Sequence, residues 1–245
     1  MAAAKPRKKP RRPAKSAKTA KKRWQFRPWR WLLRTLSIVF LAAVFVVIFY
    51  AIINPPTTIY MMQEKARLGS LDYEWVPLEN VAPVMARSAV AAEDANFCNH
   101  WGIDMKALRA AIEAGGNRGA STISQQVVKN VYLWHGRSWV RKAMEALMTP
   151  LVEAVWSKRR ILEVYLNVAE FDEGIFGVEA AARHYFGIGP EKLTATQAAR
   201  LAAILPSPKT RSASRPSKFV QRRAARIRDG AATIAADGRA GCFEN

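Results

Sequence analysis

The chain has 245 residues, 39 Lys and Arg against 19 Asp and Glu, a formal net charge of +20, and only 2 Cys. That length fits one domain with accessory segments, and two cysteines are too few for a disulfide scaffold. The sequence contains no zinc-type ligand spacing and no glycine-rich nucleotide loop.

The charge is concentrated at one end. Residues 1–34 hold 14 Lys or Arg and no acid, whereas the other 211 residues hold 25 Lys or Arg against 19 acids. The start of the chain is also rich in Pro and Ala and poor in aliphatics, so it cannot bury enough apolar surface to fold. The expectation is a disordered basic tail over 1–34.

Leu36 to Ile53 is an 18-residue run without a charge, extended by Thr35, with Trp29, Trp31 and Tyr50 near its ends. About 20 apolar residues cross a bilayer core, and aromatic residues gather at its interfaces. With no small-residue cleavage site after it, a span over 35–53 fits better than a removed signal peptide. The basic excess before it predicts a cytoplasmic N-terminus and a C-terminal domain on the far side. A basic tail also raises nucleic-acid binding. Directly before a span, topogenic charge and attraction to anionic lipid explain it more simply, so no nucleic-acid partner is expected.

Residues 54–75 read as a juxtamembrane connector: Pro55-Pro56 stops the span and Gly69-Ser70 marks a turn. The remainder, 76–245, has helical periodicity and no convincing strand. Asn80 and Pro83 open a helix toward Ala95. Asp104 can cap a second, ending at Gly115-Gly116, and Ser121 a third, through Leu133. Ser138 can cap a fourth, through about residue 157, with Pro150 as a kink. Further helices are expected at about 158–169 and 178–185, the latter stopped by Gly187. Thr194 and Gln197 form a capping box for the next, which Pro206 ends. An amphipathic helix covers about 218–236. Some 170 residues suffice for an independent core.

Chemically capable groups cluster in two places. Glu93-Asp94 is followed by Phe97, His100 and Gly102; Gly119-Ala120-Ser121-Thr122 leads into Gln126 and Lys129. On a helix, Thr122, Gln126 and Lys129 share one polar stripe, while Ile123, Val127 and Val131 face elsewhere. Helix N-terminal amides with Thr, Gln and Lys suit phosphate or sugar recognition; an ordinary amphipathic helix with a solvated face has the same spacing. Arg141, Lys142 and Glu145, with Arg137 before them, read equally well as an exposed salt-bridge patch. Phe97 can be plain core, and His100 can simply bond a backbone carbonyl near Gly102. Met144, Met148 and Trp156 fit core packing. A carboxylate base and an array of donors behind a membrane span suit chemistry on a lipid-linked sugar.

Five ordered stretches over about residues 80–210 then carry a resemblance. Glu93-Asp94-x-x-Phe97-x-x-His100-x-Gly102 resembles the first motif of the family 51 glycosyltransferases, the peptidoglycan polymerases. Gly119-Ala120-Ser121-Thr122-Ile123-Ser124-Gln125-Gln126-x-x-Lys129-Asn130 resembles the second, and Arg141-Lys142-x-x-Glu145-Ala146 the third. Ser157-Lys158-x-x-Ile161-Leu162-Glu163-x-Tyr165-Leu166-Asn167 resembles the fourth. Gly174-x-x-Gly177-x-x-x-Ala181-Ala182-x-x-Tyr185-Phe186-Gly187 resembles the fifth. Ala120 departs from the second Gly of many bifunctional members. The chain has neither Ser-x-x-Lys nor Lys-Thr-Gly, so it resembles the monofunctional branch, without a penicillin-binding transpeptidase.

The resemblance implies a mostly α, lysozyme-like, two-lobed helical domain behind a single transmembrane helix in the bacterial inner membrane, with the domain in the periplasm. It implies transfer of a growing, undecaprenyl-diphosphate-linked glycan to the 4-hydroxyl of lipid II, with inversion. Glu93 would be the general base and Glu145 a second catalytic carboxylate. Asp94, Phe97, His100, Gly119, Ser121, Thr122, Gln126, Lys129, Arg137, Arg141 and Lys142 would bind substrate. Family members often work with Mg or Mn, although no complete metal site is legible. Lipid II, the glycan strand and the membrane are the implied partners, with cell-wall synthesis or division proteins as further candidates. A lysozyme-like enzyme that cuts peptidoglycan is the competing reading, and a non-catalytic scaffold the third. Cys98 falls at a variable motif position, and its pairing with Cys242 is left open.

Overall fold

The computed structural model describes residues 1–2, 28–115, 121–136 and 138–244. Residues 3–27, most of the expected tail, lie outside it, as do Gly119 and Arg137. Two compact units divide the chain, Met1–Leu41 and Ala42–Asn245. Among the described residues the structure is mostly helical, with eleven α-helices and three short strands.

Helix α1 (Pro28–Ile52) has 25 residues, about 37 Å of rise, and is the only described helix long and apolar enough to cross a membrane. It begins before the expected span, so residues 28–34 are helical. In the first unit, Leu36, Ile38, Val39, Phe40 and Leu41 are all exposed, as lipid-facing side chains would be.

The second unit starts within α1. Helix α2 (Ile59–Leu68) occupies what reads as a connector, capped by Thr58, whose hydroxyl accepts from the Met61 amide at 3.2 Å. After Gly69 comes β1 (Asp72–Tyr73), followed by α3 (Pro83–Glu93), α4 (Met105–Glu113), α5 (Ile123–Tyr132), α6 (Trp139–Val155) and α7 (Lys158–Val168). Strands β2 (Glu170–Asp172) and β3 (Ile175–Phe176) lead to α8 (Val178–Phe186), α9 (Ala195–Ile204), α10 (Lys218–Ala236) and α11 (Gly241–Glu244).

The strands correct the expectation of none. They form one sheet in the order β1-β3-β2, with β1 parallel and β2 antiparallel to β3. Each has only two or three residues, too few for alternation to show. The fourth motif holds this region together. Asn167, fully buried, accepts from the Val76 amide and donates to the Val76 carbonyl, both at 2.8 Å. Gly177 follows at φ 84°, and a Cβ there would meet the Asn167 carbonyl at 3.0 Å, so only glycine suits the entry to α8.

The core gathers Met85, Ala89 and Val90 of α3, Ile123, Val127 and Val131 of α5, Ile161, Leu162, Tyr165 and Leu166 of α7, and Leu201 and Ile204 of α9. Val220, Ala224, Ile227, Ala231 and Ile234 lay one stripe of α10 against it. Burying such side chains contributes about 1.5–3 kcal/mol each. Trp156 is core as expected, but Met144 is exposed: α6 turns Trp139, Val140, Met144 and Leu147 outward.

One cap differs from expectation. Thr122, not Ser121, caps α5: its hydroxyl accepts from the Gln125 amide, and the Gln125 side chain accepts from the Thr122 amide at 3.1 Å. The reciprocal pair satisfies two amides that a lone Ser121 cap would leave. The caps at Asp104, Ser138 and Thr194 form as expected.

A disulfide joins Cys98 to Cys242, with Cα atoms 5.7 Å apart and a sequence separation of 144. It fixes α11 beside the Phe97–Asn99 turn, where Phe243 is fully buried against Phe97, ring centroids 6.4 Å apart.

Candidate active site

Glu93 is the last residue of α3 and is nearly enclosed. Its Oε2 accepts from Gln126 Nε2 at 3.0 Å, so Gln126 of the polar stripe faces the carboxylate. Its Oε1 is buried and has no hydrogen-bond partner. Burial pushes the Glu93 carboxyl above its ordinary value; the Gln126 bond and the cations Arg223 and Lys129 oppose that rise, while Asp94 adds to it.

The other residues of the first motif turn toward each other. Asp94 Oδ1 pairs with His100 Nε2 at 2.9 Å, and Asp94 Oδ2 accepts from the Ile123 amide at 3.1 Å. The carboxylate thus takes the positive N-terminal end of α5, which reads in sequence as free to hold a phosphate. Phe97 is wholly buried, edge-on to His100 and 4.5 Å beneath Lys158 Nζ. In this structure Asp94, Phe97 and His100 are engaged with one another, with the start of α5 and with Lys158. Thr122 joins them, donating to the Gly102 carbonyl. Gly102 has φ 79°, and a Cβ there would collide with Thr149 Cγ2, which ties the first motif to α6.

The third motif is no exposed patch. Glu145 is buried; Oε2 accepts from Arg141 Nη1 at 2.7 Å and Oε1 from Lys142 Nζ. Lys142 also reaches the exposed Ser121 hydroxyl at 3.2 Å. Glu145 thereby folds two cations back onto α6 beside the start of α5. Burial lowers the Lys129 ammonium, with Glu145 and Glu93 opposing and Arg141 and Lys142 reinforcing.

A cleft of about 460 Å³ opens along this side of α5. Gln126, Lys129 and Asn130 line it, facing Tyr60, His135, Glu170 and Lys209. These last four escaped the sequence reading. Tyr60 donates to Glu170 at 2.7 Å and stacks on His135 with centroids 3.6 Å apart. Lys209 lies 2.9 Å from Glu64 and 3.4 Å from Glu170. Burial, and then the cations Lys129, Arg141 and Lys209, hold His135 down to about 4, a neutral imidazole at pH 7. Lys158, quoted in the fourth motif but given no role, donates to the His100 carbonyl at 2.7 Å and to Glu153 at 2.8 Å.

The residues here do not fit a divalent cation. Both Glu145 oxygens already accept from cationic side chains, and among the described residues no three His, Cys, Asp or Glu groups converge.

Comparison with known proteins bears on this arrangement. The family model described as "Transglycosylase" matches residues 62–232. The chain belongs to the transglycosylase family. It is 60% identical over 216 residues to a biosynthetic peptidoglycan transglycosylase of Jannaschia sp. (strain CCS1), covering 88% of this chain and 90% of that one. It is 46% identical to the protein of that name from Caulobacter vibrioides, covering 86% and 94%, and 47% identical to that of Pseudomonas putida (strain F1), covering 80% and 89%. The transglycosylase match begins inside α2, so helix and sheet between residues 62 and 75 belong to the family domain.

Proposed function

We propose that this protein polymerises peptidoglycan glycan strands. One observation carries the reading: a nearly enclosed carboxylate, Glu93, holds one oxygen on Gln126 and keeps the other free, beside a cleft bordered by cations. The resemblance of the five motifs and the names of the relatives point to the same chemistry.

In the reaction, the 4-hydroxyl of a lipid II acceptor attacks C1 of the donor's terminal sugar. Its proton passes to Glu93 as the new C–O bond forms. The C1–O bond to the lipid diphosphate breaks, its electron pair leaves with the phosphate, and the anomeric carbon inverts. A sugar hydroxyl is a weak nucleophile, so a carboxylate raised by burial is better matched to its proton than an ordinary one. The leaving diphosphate gains charge as it departs. Lys129, Arg141 and Lys142 stabilise that charge, and fixed cations do so without reorganising. Arg137, outside the described residues, is placed in the same group by sequence. Glu145 positions Arg141 and Lys142.

Purified protein incubated with labelled lipid II should yield long glycan polymer, resolved on a gel. Fragments of preformed peptidoglycan, or no product, would reject the reading.

We further propose a single pass through the bacterial inner membrane with the enzymatic domain in the periplasm. The basic excess before α1 and the disulfide, which persists in oxidising compartments, both support that side. A reporter that works only in the periplasm should be active when fused after Asn245 and silent at Met1; the reverse pattern overturns the orientation.

A further inference from the structure

We propose that Arg223 is a positioning residue for this reaction: its guanidinium stands opposite the free oxygen of Glu93 and keeps that carboxylate ionised and available. The inference rests on the reading of Glu93 as the base. Arg223 lies on α10, outside all five motif stretches.

The geometry is specific. Arg223 Nη2 is 3.6 Å from Glu93 Oε1, beyond hydrogen-bond range but well within Coulombic reach. The same nitrogen lies 3.4 Å from the Ala92 carbonyl, which orients it. Glu93 Oε1 and Arg223 Nε are both buried without a hydrogen-bond partner, an uncommon state for one polar atom and more so for two neighbours. The position is held from behind. Val220, Ala224 and Ile227 anchor α10, and a Cβ on Gly230 would come within 3.3 Å of Ala91, so α10 sits tightly on the end of α3.

A closer pair would serve worse. A guanidinium fully bonded to Oε1 would occupy the lone pair that must receive the sugar proton. At this separation the cation favours the charged form and leaves the lone pair open. The other groups around Glu93 do not substitute for it. Asp94, next in the chain just past the end of α3, opposes ionisation. On α5, Gln126 is neutral, and Lys129 acts in the same sense as Arg223 but less strongly. Tyr165 of α7 is fully buried and held neutral. Arg211, after α9, donates to the Ala203 carbonyl at 3.1 Å and is turned onto Phe219. A guanidinium, unlike an ammonium, does not lose its proton when partly buried.

The test is the pH profile of kcat/KM for lipid II polymerisation. The base works only when ionised, so the rate falls on the acid side through the Glu93 pKa. Removing the neighbouring cation raises that pKa. The acid limb of Arg223→Gln should therefore move up by about one pH unit, a loss of about tenfold below both values that shrinks toward high pH. Arg223→Lys keeps the charge and should restore the wild-type limb. Should Arg223→Gln lose its cooperative thermal transition, Arg223→Met, which buries no new polar group, is read the same way. An unmoved limb, or an equal loss at every pH, overturns the assignment. In a Glu93→Gln background the Arg223 effect on the limb should vanish; its persistence would also overturn the coupling. Full activity of Glu93→Gln alone would instead reject the base itself.

Discussion

Glu93→Gln should lower the rate of lipid II polymerisation by about 10²–10⁴-fold, the range that general base catalysis supplies. The substitution is nearly isosteric. Its carbonyl can still accept from Gln126 Nε2, which now donates to Glu93 at 3.0 Å. What disappears is the ability of the opposite oxygen to take a proton. Stability should not fall, because a carboxylate whose pKa is raised by burial is costly to keep charged. The measurement is therefore paired: initial rate with labelled lipid II, and the thermal midpoint of the same preparation. A rate within tenfold of wild type removes Glu93 from the mechanism. A large drop in midpoint would show instead that the side chain is holding the fold.

The double variant Cys98→Ala/Cys242→Ala should lose about 3–5 kcal/mol of stability. The disulfide closes a loop of 144 residues, near the upper end of what chain entropy yields. For a domain of this size that corresponds to a fall of about 10 °C in midpoint. Reductant should lower the midpoint of wild type toward that of the variant and leave the variant unchanged. Equal midpoints with and without reductant would mean that the bond adds nothing. Activity should suffer too, because the bond pins α11, whose Phe243 backs Phe97 and whose carbonyl accepts from Arg159 at 3.1 Å.

The same two residues show where sequence reading stops. Cys98 is in a motif and Cys242 is near the end of the chain; nothing local tells that they meet. The helices were legible because caps and periodicity are local properties. The helix over Lys218–Ala236 matches its expected bounds, as does the Thr194–Gln197 capping box. Thr122 carries the same Thr-x-x-Gln signal as Thr194, and the reciprocal bonds with Gln125 make it the cap in place of the neighbouring Ser121. Strands of two residues leave no pattern to find. Helix α2 hid in a short stretch whose polar residues obscure its one buried face.

Helical spacing puts Gln126 and Lys129 on one side of α5, and the structure brings both to one cleft with Gln126 bonded to Glu93. Tyr60, His135, Glu170 and Lys209 come from four separate segments, and only the tertiary fold assembles them around the cleft. Asp94 and His100 each stand out in sequence as chemically capable groups within the first motif. What sequence could not show is that they spend that capacity on each other and on the Ile123 amide.

The end of α1 deserves a final consequence. Trp156 donates its indole proton to the Val47 carbonyl at 2.8 Å, and Arg160 donates to the Tyr50 and Ile53 carbonyls at 3.1 and 3.0 Å. Val47 is completely covered. The last turns of this helix are therefore a structural member of the domain as well as its leash. A soluble fragment cut at Asn54 would strip the cover from Trp156 and strand a buried indole donor, so trimming for crystallisation or screening should keep residues 42–53. Residues 42–53 thus act as a strut of the catalytic unit, held by Trp156 and Arg160 at the same time, so a substitution such as Arg160→Ala is felt first where the chain enters the domain.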